Sequence, residues 1–214
     1  MKLGLFGGTF DPPHISHTLA CLYILETTDV ERILVVPCYR HPLGKQATSF
    51  QDRASMSRLA MKSLFPRVEI SEIESERSGP SFTIDTLRIL KERMPGSSFS
   101  LIIGSDIVEE THLWKSYDEI RKLARILVLP RPGRDEGWKK GETGRFFLPD
   151  ISSTEIRRQL LEGADVSPFL SSSVMEYIES HRLYLETSPC EGGEPPACGG
   201  LSNRDEGEAP RGGK

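Results

Sequence analysis

Short apolar runs, several rich in β-branched residues, recur along the chain with amphipathic stretches between them. The runs predict strands at Leu3–Phe6, Arg32–Val36, Val68–Ser71, Phe99–Ile103, Ile126–Leu129 and Arg145–Leu148. Near-continuous apolar runs suit strands buried on both faces, as in a parallel sheet covered by helices. Helices are predicted in the intervals. Ser16–Glu26 carries Leu19, Leu22, Tyr23 and Leu25, and Asp52–Leu64 carries Met56, Leu59, Ala60 and Leu64. Thr83–Arg93 sets Ile84, Leu87 and Leu90 on one face and turns Arg88 and Lys91 toward water. Strands alternating with helices place the chain in the α/β class.

Toward the C-terminus two capping boxes predict helix starts, Ser152 with Glu155 and Ser173 with Glu176. The first opens a helix over Thr154–Leu161 that Gly163 stops; the second carries Val174, Tyr177 and Ile178 and ends near His181. Arg131–Thr143 reads as a polar loop. Beyond Leu185 the composition turns to Gly, Pro, Glu and Ser, with little to bury. The expectation is one domain over residues 1–185 and a disordered tail over 186–214 that takes Cys190 and Cys198 with it.

Composition narrows the function classes. A chain of 214 residues with a formal net charge of −4 has no global basic field, so neither nucleic acid nor an anionic membrane surface is an expected partner. Any cation that binds phosphate must be local. The four cysteines, Cys21, Cys38, Cys190 and Cys198, form no CxxC and suit a reducing compartment. No apolar run has the length of a signal peptide or a membrane span, so a cytoplasmic location is expected.

The chemistry concentrates in residues 1–17. A strand feeds Gly7 and Gly8, and Pro12-Pro13-His14 then opens a helix. Such a junction is an anion site: glycines are expected to adopt positive φ and admit a phosphate, while first-turn N–H groups point at it. His14 and His17 are three apart, which puts both imidazoles on one side of a helical turn, within reach of the same phosphate oxygens.

The stretch Gly7-Gly8-Thr9-Phe10-Asp11-Pro12-Pro13-His14-Ile15-Ser16-His17 resembles the (H/T)xGH signature of the nucleotidylyltransferase superfamily, in the form GGTFDPxHxGH, with Ser16 in place of its last glycine. Ile151-Ser152-Ser153-Thr154-Glu155-Ile156-Arg157 resembles the ISSTxIR motif without a mismatch. Independently of the resemblance, a capped helix start, two hydroxyls and a guanidinium fork suit the β- and γ-phosphates of ATP. Pro80-Ser81-Phe82-Thr83-Ile84-Asp85-Thr86 resembles the PSYTxxT segment of nicotinate-nucleotide adenylyltransferases.

The fold this resemblance implies is a Rossmann-like doubly wound parallel sheet with helices on both faces. The implied reaction transfers AMP from ATP to nicotinate mononucleotide, with Mg²⁺ carried on the triphosphate and no protein ligand assigned to it. His14, His17 and Arg157 are the expected catalytic residues. Gly7, Gly8, Thr9, Phe10, Ser153 and Thr154 are expected on ATP. Thr83 and Thr86 are expected on the pyridine carboxylate, Asp106 on a ribose, and Trp114 stacked on the pyridine. Asp106 could equally be a helix N-cap, since it follows Gly104 at the end of an apolar run.

The segment Pro37–Gln46 departs from the family's Pro-His-Lys pattern. Arg40, His41 and Lys45 supply comparable charge, and Lys45 is the cation expected to reach substrate. Cys38 and His41 have a C-x2-H spacing with no second pair to complete a zinc site, so no metal is expected there. Two alternatives stay open: another acceptor, either nicotinamide mononucleotide or phosphopantetheine, and a nucleotide-binding protein without catalysis, which Ser16 alone suggests.

Overall fold

The computed structural model describes residues 1–130 and 148–185. The expected loop at 131–143, the tail at 186–214 and the sixth strand lie outside the described residues. Only Leu148 of that strand is described, and it is buried in irregular backbone.

Five strands form one sheet among the described residues: β1 (Lys2–Gly8), β2 (Arg32–Pro37), β3 (Val68–Ile70), β4 (Ser98–Gly104) and β5 (Ala124–Leu129). All pair in parallel, in the order β3-β2-β1-β4-β5. Six α-helices accompany them: α1 (Ile15–Thr27), α2 (Phe50–Ala60), α3 (Thr83–Arg93), α4 (Tyr117–Leu123), α5 (Ser153–Leu161) and α6 (Ser172–Ser180). This is the Rossmann-like arrangement the sequence led us to expect.

The two-residue period of the strands divides the core. Leu3, Leu5, Leu34, Val36, Phe99, Leu101 and Ile103 meet Ile84, Leu87 and Leu90 of α3 and Ile120 of α4 on one face. Ile33, Val35, Val68, Ile102 and Leu129 meet Ala20, Cys21, Ile24 and Leu25 of α1 on the other. Each fully buried side chain such as Ile84 or Leu87 contributes about 1.5–3 kcal/mol. Gly4 faces the second cluster, where a Cβ would lie 2.9 Å from Ile102 Cδ1 and 3.0 Å from Ile33 Cγ1. Side chains of the neighbouring strands close over it. A third cluster, Met56, Ile156, Val166, Leu170, Val174 and Ile178, joins α2, α5 and α6.

Some local expectations are corrected, and one helix, α4, was not expected. The helix expected over Asp52–Leu64 is α2 followed by a separate 3-10 turn, Lys62–Leu64. Phe65 precedes Pro66 and is extended at φ −65, ψ 140, as the proline ring demands, so the helix cannot run on. The last helix is capped by Ser171, with no side-chain bond, and not by the Ser173–Glu176 box. Helix α4 has one buried residue, Ile120, too little to mark a period. Ser152 does cap α5, its Oγ accepting from Glu155 N–H at 3.1 Å, but the Glu155 carboxylate bonds Arg158 and Gln159 and does not close the box. Gly163 ends α5 at φ +68.

The strand order reverses between β1 and β4, whose C-terminal ends therefore flank the crevice where such sheets bind ligands.

Candidate active site

Gly7 and Gly8 pair with Val36 and Pro37 at the end of β1. Neither has positive φ; that conformation falls on Phe10, at φ 52, which corrects the expectation for the glycines. Gly8 is needed for close packing instead, because a Cβ there would lie 3.0 Å from Phe10 Cζ. The Phe10 side chain, expected beside ATP, is 2% exposed. It stands edge-on to Phe6 at 5.6 Å and to His17 at 4.9 Å, so it is a wedge that supports a catalytic candidate. Its backbone alone remains for a ligand. A Cβ on Gly7 would meet nothing within 4 Å, which leaves its surface open to an incoming nucleotide.

His14 caps α1 and His17 follows in its first turn, with ring centroids 3.8 Å apart. The His14 backbone N–H donates to His17 Nδ1 at 3.1 Å. A neutral His17 therefore carries its proton on Nε2, as a donor. The first turn of α1 holds no acidic residue of its own against the positive end of its dipole.

The turn between β1 and α1 is gripped from several elements. Arg53 of α2 donates from Nη1 to Thr9 O at 2.8 Å and from Nε to Thr48 O at 2.9 Å. Arg157 of α5 donates from Nη1 to Asp11 O at 2.6 Å and stands 3.9 Å from Asp11 Oδ2. Ser153 Oγ donates to Pro12 O at 2.9 Å. Asp11, 3% exposed, accepts from Thr48 N–H at 3.2 Å and from Tyr184 Oη at 2.6 Å. Burial lowers the Arg53 pKa, opposed first by the charge of Asp11. Burial, reinforced by the bond to Asp11, pushes the Tyr184 phenol well above its usual range.

The structure thus joins the two motifs, and adds to the expected roles of Ser153 and Arg157 by bracing them on the histidine turn. Thr154 is exposed, its Oγ1 accepting from Arg157 Nη2 at 3.3 Å. Asp11, Arg53 and Tyr184 were not among the expected site residues. Arg53 had a signal, a cation on the same helical face as buried Met56 and Ser57. Tyr184 had none.

Ser16 is 3% exposed, and its hydroxyl donates to Pro149 O at 3.0 Å. It packs inward and takes no space from a ligand.

On the acceptor side, Cys38 N–H donates to Gly8 O at 2.8 Å, and the loop at 38–49 bounds a cleft of about 650 Å³ with Thr9, Arg40, His41, Lys45 and Arg53 among its walls. Burial and the nearby Glu74 raise the Cys38 thiol to about 11, so it is a neutral part of the cleft wall. Burial, then Lys45, lowers the His41 pKa. Positive charge in the cleft at neutral pH therefore comes from the guanidinium and ammonium groups. Lys45 is exposed at the rim.

Arg40 N–H donates to Ser81 Oγ at 3.2 Å, and Ser81 N–H to Arg40 O at 2.8 Å. These bonds tie the loop to the segment that starts α3. Thr83 is the first residue of that helix and half-buried. Thr86 is 2% exposed; its hydroxyl donates to Glu74 Oε1 at 3.1 Å and accepts from Arg77 Nη2 at 3.3 Å. Its proton is already engaged, which narrows the expected carboxylate donors to Thr83 and backbone N–H groups.

Trp114 caps the C-terminal end of a 3-10 helix, Val108–Leu113, and packs partly on the first core cluster. Its neighbour Lys115 lies 3.0 Å from Asp85 Oδ2 and 4.5 Å from the Phe82 ring centroid, which draws Trp114 to the start of α3. Asp106 is half-buried in the turn after β4, across the crevice from β1. It is not an N-cap, because the 3-10 helix beyond it is capped by Ile107.

The profile of the cytidylyltransferase-like family matches residues 5–159. A relative from Anaeromyxobacter dehalogenans, named "Probable nicotinate-nucleotide adenylyltransferase", is 38% identical over 86% of this chain and 96% of its own. A relative of the same name from Thermus thermophilus is 36% identical over 86% of this chain and all of its own. Among solved structures, the nicotinic acid mononucleotide adenylyltransferase of Plasmodium falciparum, complexed with NaAD, matches with a TM-score of 0.73. At 21% identity over 86% of this chain and 97% of that one, it shows the common fold. A matching profile over most of the chain and relatives this similar along nearly their whole length show that the chain belongs to the cytidylyltransferase-like family and, within it, to the nicotinate-nucleotide adenylyltransferases.

Proposed function

We propose that this chain transfers AMP from ATP to nicotinate mononucleotide, giving nicotinate adenine dinucleotide and pyrophosphate on the route to NAD. The observation that carries the reading is the paired His14 and His17 imidazoles at the start of α1, with Arg157 held beside the same turn.

A phosphate oxygen of the mononucleotide attacks the α-phosphorus of ATP in line. The new P–O bond forms as the bond from the α-phosphorus to the oxygen bridging to the β-phosphorus breaks, and that oxygen leaves with pyrophosphate. No side chain becomes covalent. Catalysis is then positioning plus charge stabilisation. The Nε2–H of His17 and the ring of His14 act on oxygens of the α- and β-phosphates, where charge builds. Arg157, with the Thr154 hydroxyl and the N–H groups that open α5, receives the leaving pyrophosphate.

Gly7 and the backbone of Gly8, Thr9 and Phe10 form the surface for the nucleotide, and Asp106 accepts from a ribose hydroxyl. Lys45 draws the acceptor's phosphate into the cleft. Trp114 stacks on the pyridine, while Thr83 and the first-turn N–H groups of α3 face its carboxylate. Among the described residues no three His, Cys, Asp or Glu side chains gather as a metal cage. Mg²⁺ entering with the triphosphate would neutralise part of its charge. The unbridged thiols Cys21 and Cys38 support a cytoplasmic setting.

Pyrophosphate release measured with nicotinate mononucleotide, nicotinamide mononucleotide and phosphopantetheine tests the reading. Charge-assisted bonds are about twice as strong as neutral ones, and the amide turns its own donors toward those of the protein. The acid should therefore lead by about 10² or more in kcat/KM. Equal values for the two mononucleotides would remove the nicotinate assignment.

A further inference from the structure

Between the end of β1 and the start of α1, the turn at 9–13 has no strand or helix to hold it, so its shape is set by what its polar groups bond. Three of its carbonyls accept from side chains: Thr9 O from Arg53, Asp11 O from Arg157, and Pro12 O from Ser153. The Asp11 carboxylate is the remaining handle. Its Oδ2 accepts from Thr48 N–H at 3.2 Å and lies 3.9 Å from Arg157, while its Oδ1 accepts from Tyr184 Oη at 2.6 Å across 173 residues of chain.

We propose that Tyr184 is a positioning residue for the adenylyl transfer: through Asp11 it holds the turn that delivers His14 and His17 to the phosphates. This rests on the reading given above. With Asp11 at 3% exposure, an Oδ1 deprived of the phenol has little water to turn to. The charged donors within its reach are the Arg157 and Arg53 guanidiniums, and both hold carbonyls of this turn. A carboxylate that swings toward Arg157 competes with Asp11 O for it, and the displacement passes through Pro12 and Pro13 to His14. The backbone of Tyr184 sits at φ 59, a region unfavourable for a residue with a Cβ, and its ring packs against the third core cluster. The ring stays anchored without the hydroxyl, so Tyr184→Phe removes the phenol's bonds to Asp11 and to the Thr48 side chain and little packing.

The molecule supplies its own control. Tyr177 Oη donates to Asp52 Oδ1 at 2.9 Å, which ties α6 to α2 by the same chemistry and touches no group of the turn. Tyr184→Phe should lower kcat by about 10-fold or more and leave both KM values within about twofold, because a small misplacement of a catalytic group acts on the transition state. Tyr177→Phe should leave kcat within about twofold of the parent. In two-dimensional NMR of the free protein, the His14 and His17 ring signals should shift in Tyr184→Phe and stay in place in Tyr177→Phe. Should Tyr184→Phe not fold, Asp11→Asn carries the same two readouts and the same expected losses, since its amide keeps one acceptor where the carboxylate has two and loses the charge that faces Arg157.

A parental kcat in Tyr184→Phe, equal losses in the two tyrosine variants, or unmoved imidazole signals would each overturn the proposal. If the unaltered protein releases no pyrophosphate with nicotinate mononucleotide, the functional reading fails separately, and the imidazole signals still decide the role of Tyr184.

Discussion

The histidine turn is bonded by α2, by α5 and by Tyr184 beyond α6, and Asp11 and His14 are each 3% exposed. The loop at 38–49, which follows β2 and walls a cleft with Thr9 and Arg53, is fastened near its ends, through Cys38, Tyr39, Arg40 and Thr48. Between those anchors it bonds to itself, Gly44 N–H to His41 O, and lifts Leu43 to 88% exposure. Groups that stabilise a transition state act best when already fixed, because no reorganisation is then needed at the moment of reaction. Cations that gather a phosphate from solvent act at longer range and tolerate movement. On the proposed function, the histidine turn suits the first task and the loop at 38–49 the second.

The sharpest way to break that contrast is to loosen the rigid wall. Arg53→Ala removes the donor of both Thr9 O and Thr48 O, and a buried acceptor left without a partner costs about 1–3 kcal/mol. Two such losses, with some relaxation, should lower stability by about 3–4 kcal/mol. At about 2–4 °C per kcal/mol, calorimetry should find the melting temperature roughly 6–16 °C lower. A shift under about 2 °C would mean that the turn keeps its place without Arg53.

His17→Ala should cost about 10² or more in kcat, equivalent to about 2.7 kcal/mol, with a smaller effect on KM. The parallel change in the loop at 38–49, Lys45→Ala, should raise the KM of the mononucleotide by about 3- to 10-fold and leave kcat near the parental value. Its effect should fade as salt rises, since an exposed cation is screened. Steady-state kinetics of the pair at two ionic strengths sharpens the comparison. A large kcat loss in Lys45→Ala would place that lysine with the catalytic groups.

The contrast also marks where sequence stops being informative. Strands β1, β2 and β4 were legible because apolar residues sit at both faces of a sheet covered on both sides, and α3 because Ile84, Leu87 and Leu90 repeat at a helical spacing. Helix α4, with Ile120 alone buried, left no such trace. Within the site, His14, His17, Ser153 and Arg157 could be named from local spacing and resemblance. That Ser153 and Arg157 grip Pro12 and Asp11 could not, since those bonds span 141 and 146 residues. Phe10 and Thr86 were placed with ligands by the resemblance of their motifs, and tertiary packing has engaged both side chains inside the protein.

The smallest effect is expected where the motif itself departs from its family. A serine in place of the glycine before His17 would block a nucleotide lying flat on α1 if its side chain faced the crevice. It faces the other way: Ser16 is 3% exposed and bonded to Pro149 O. Ser16→Ala should therefore act on stability alone, by the roughly 0.5–1.5 kcal/mol of one hydrogen bond, a fall in melting temperature of about 1–6 °C. Ser16→Gly, which restores the family residue, should cost up to about 1 kcal/mol more through backbone entropy. Both variants should keep kcat and the KM for ATP within about twofold of the parent. If Ser16→Gly instead raised kcat or tightened ATP binding about 10-fold, the hydroxymethyl would be an obstacle in the nucleotide's path. The rigid wall would then have been tuned for less activity, and the contrast between the turn and the loop would shrink accordingly.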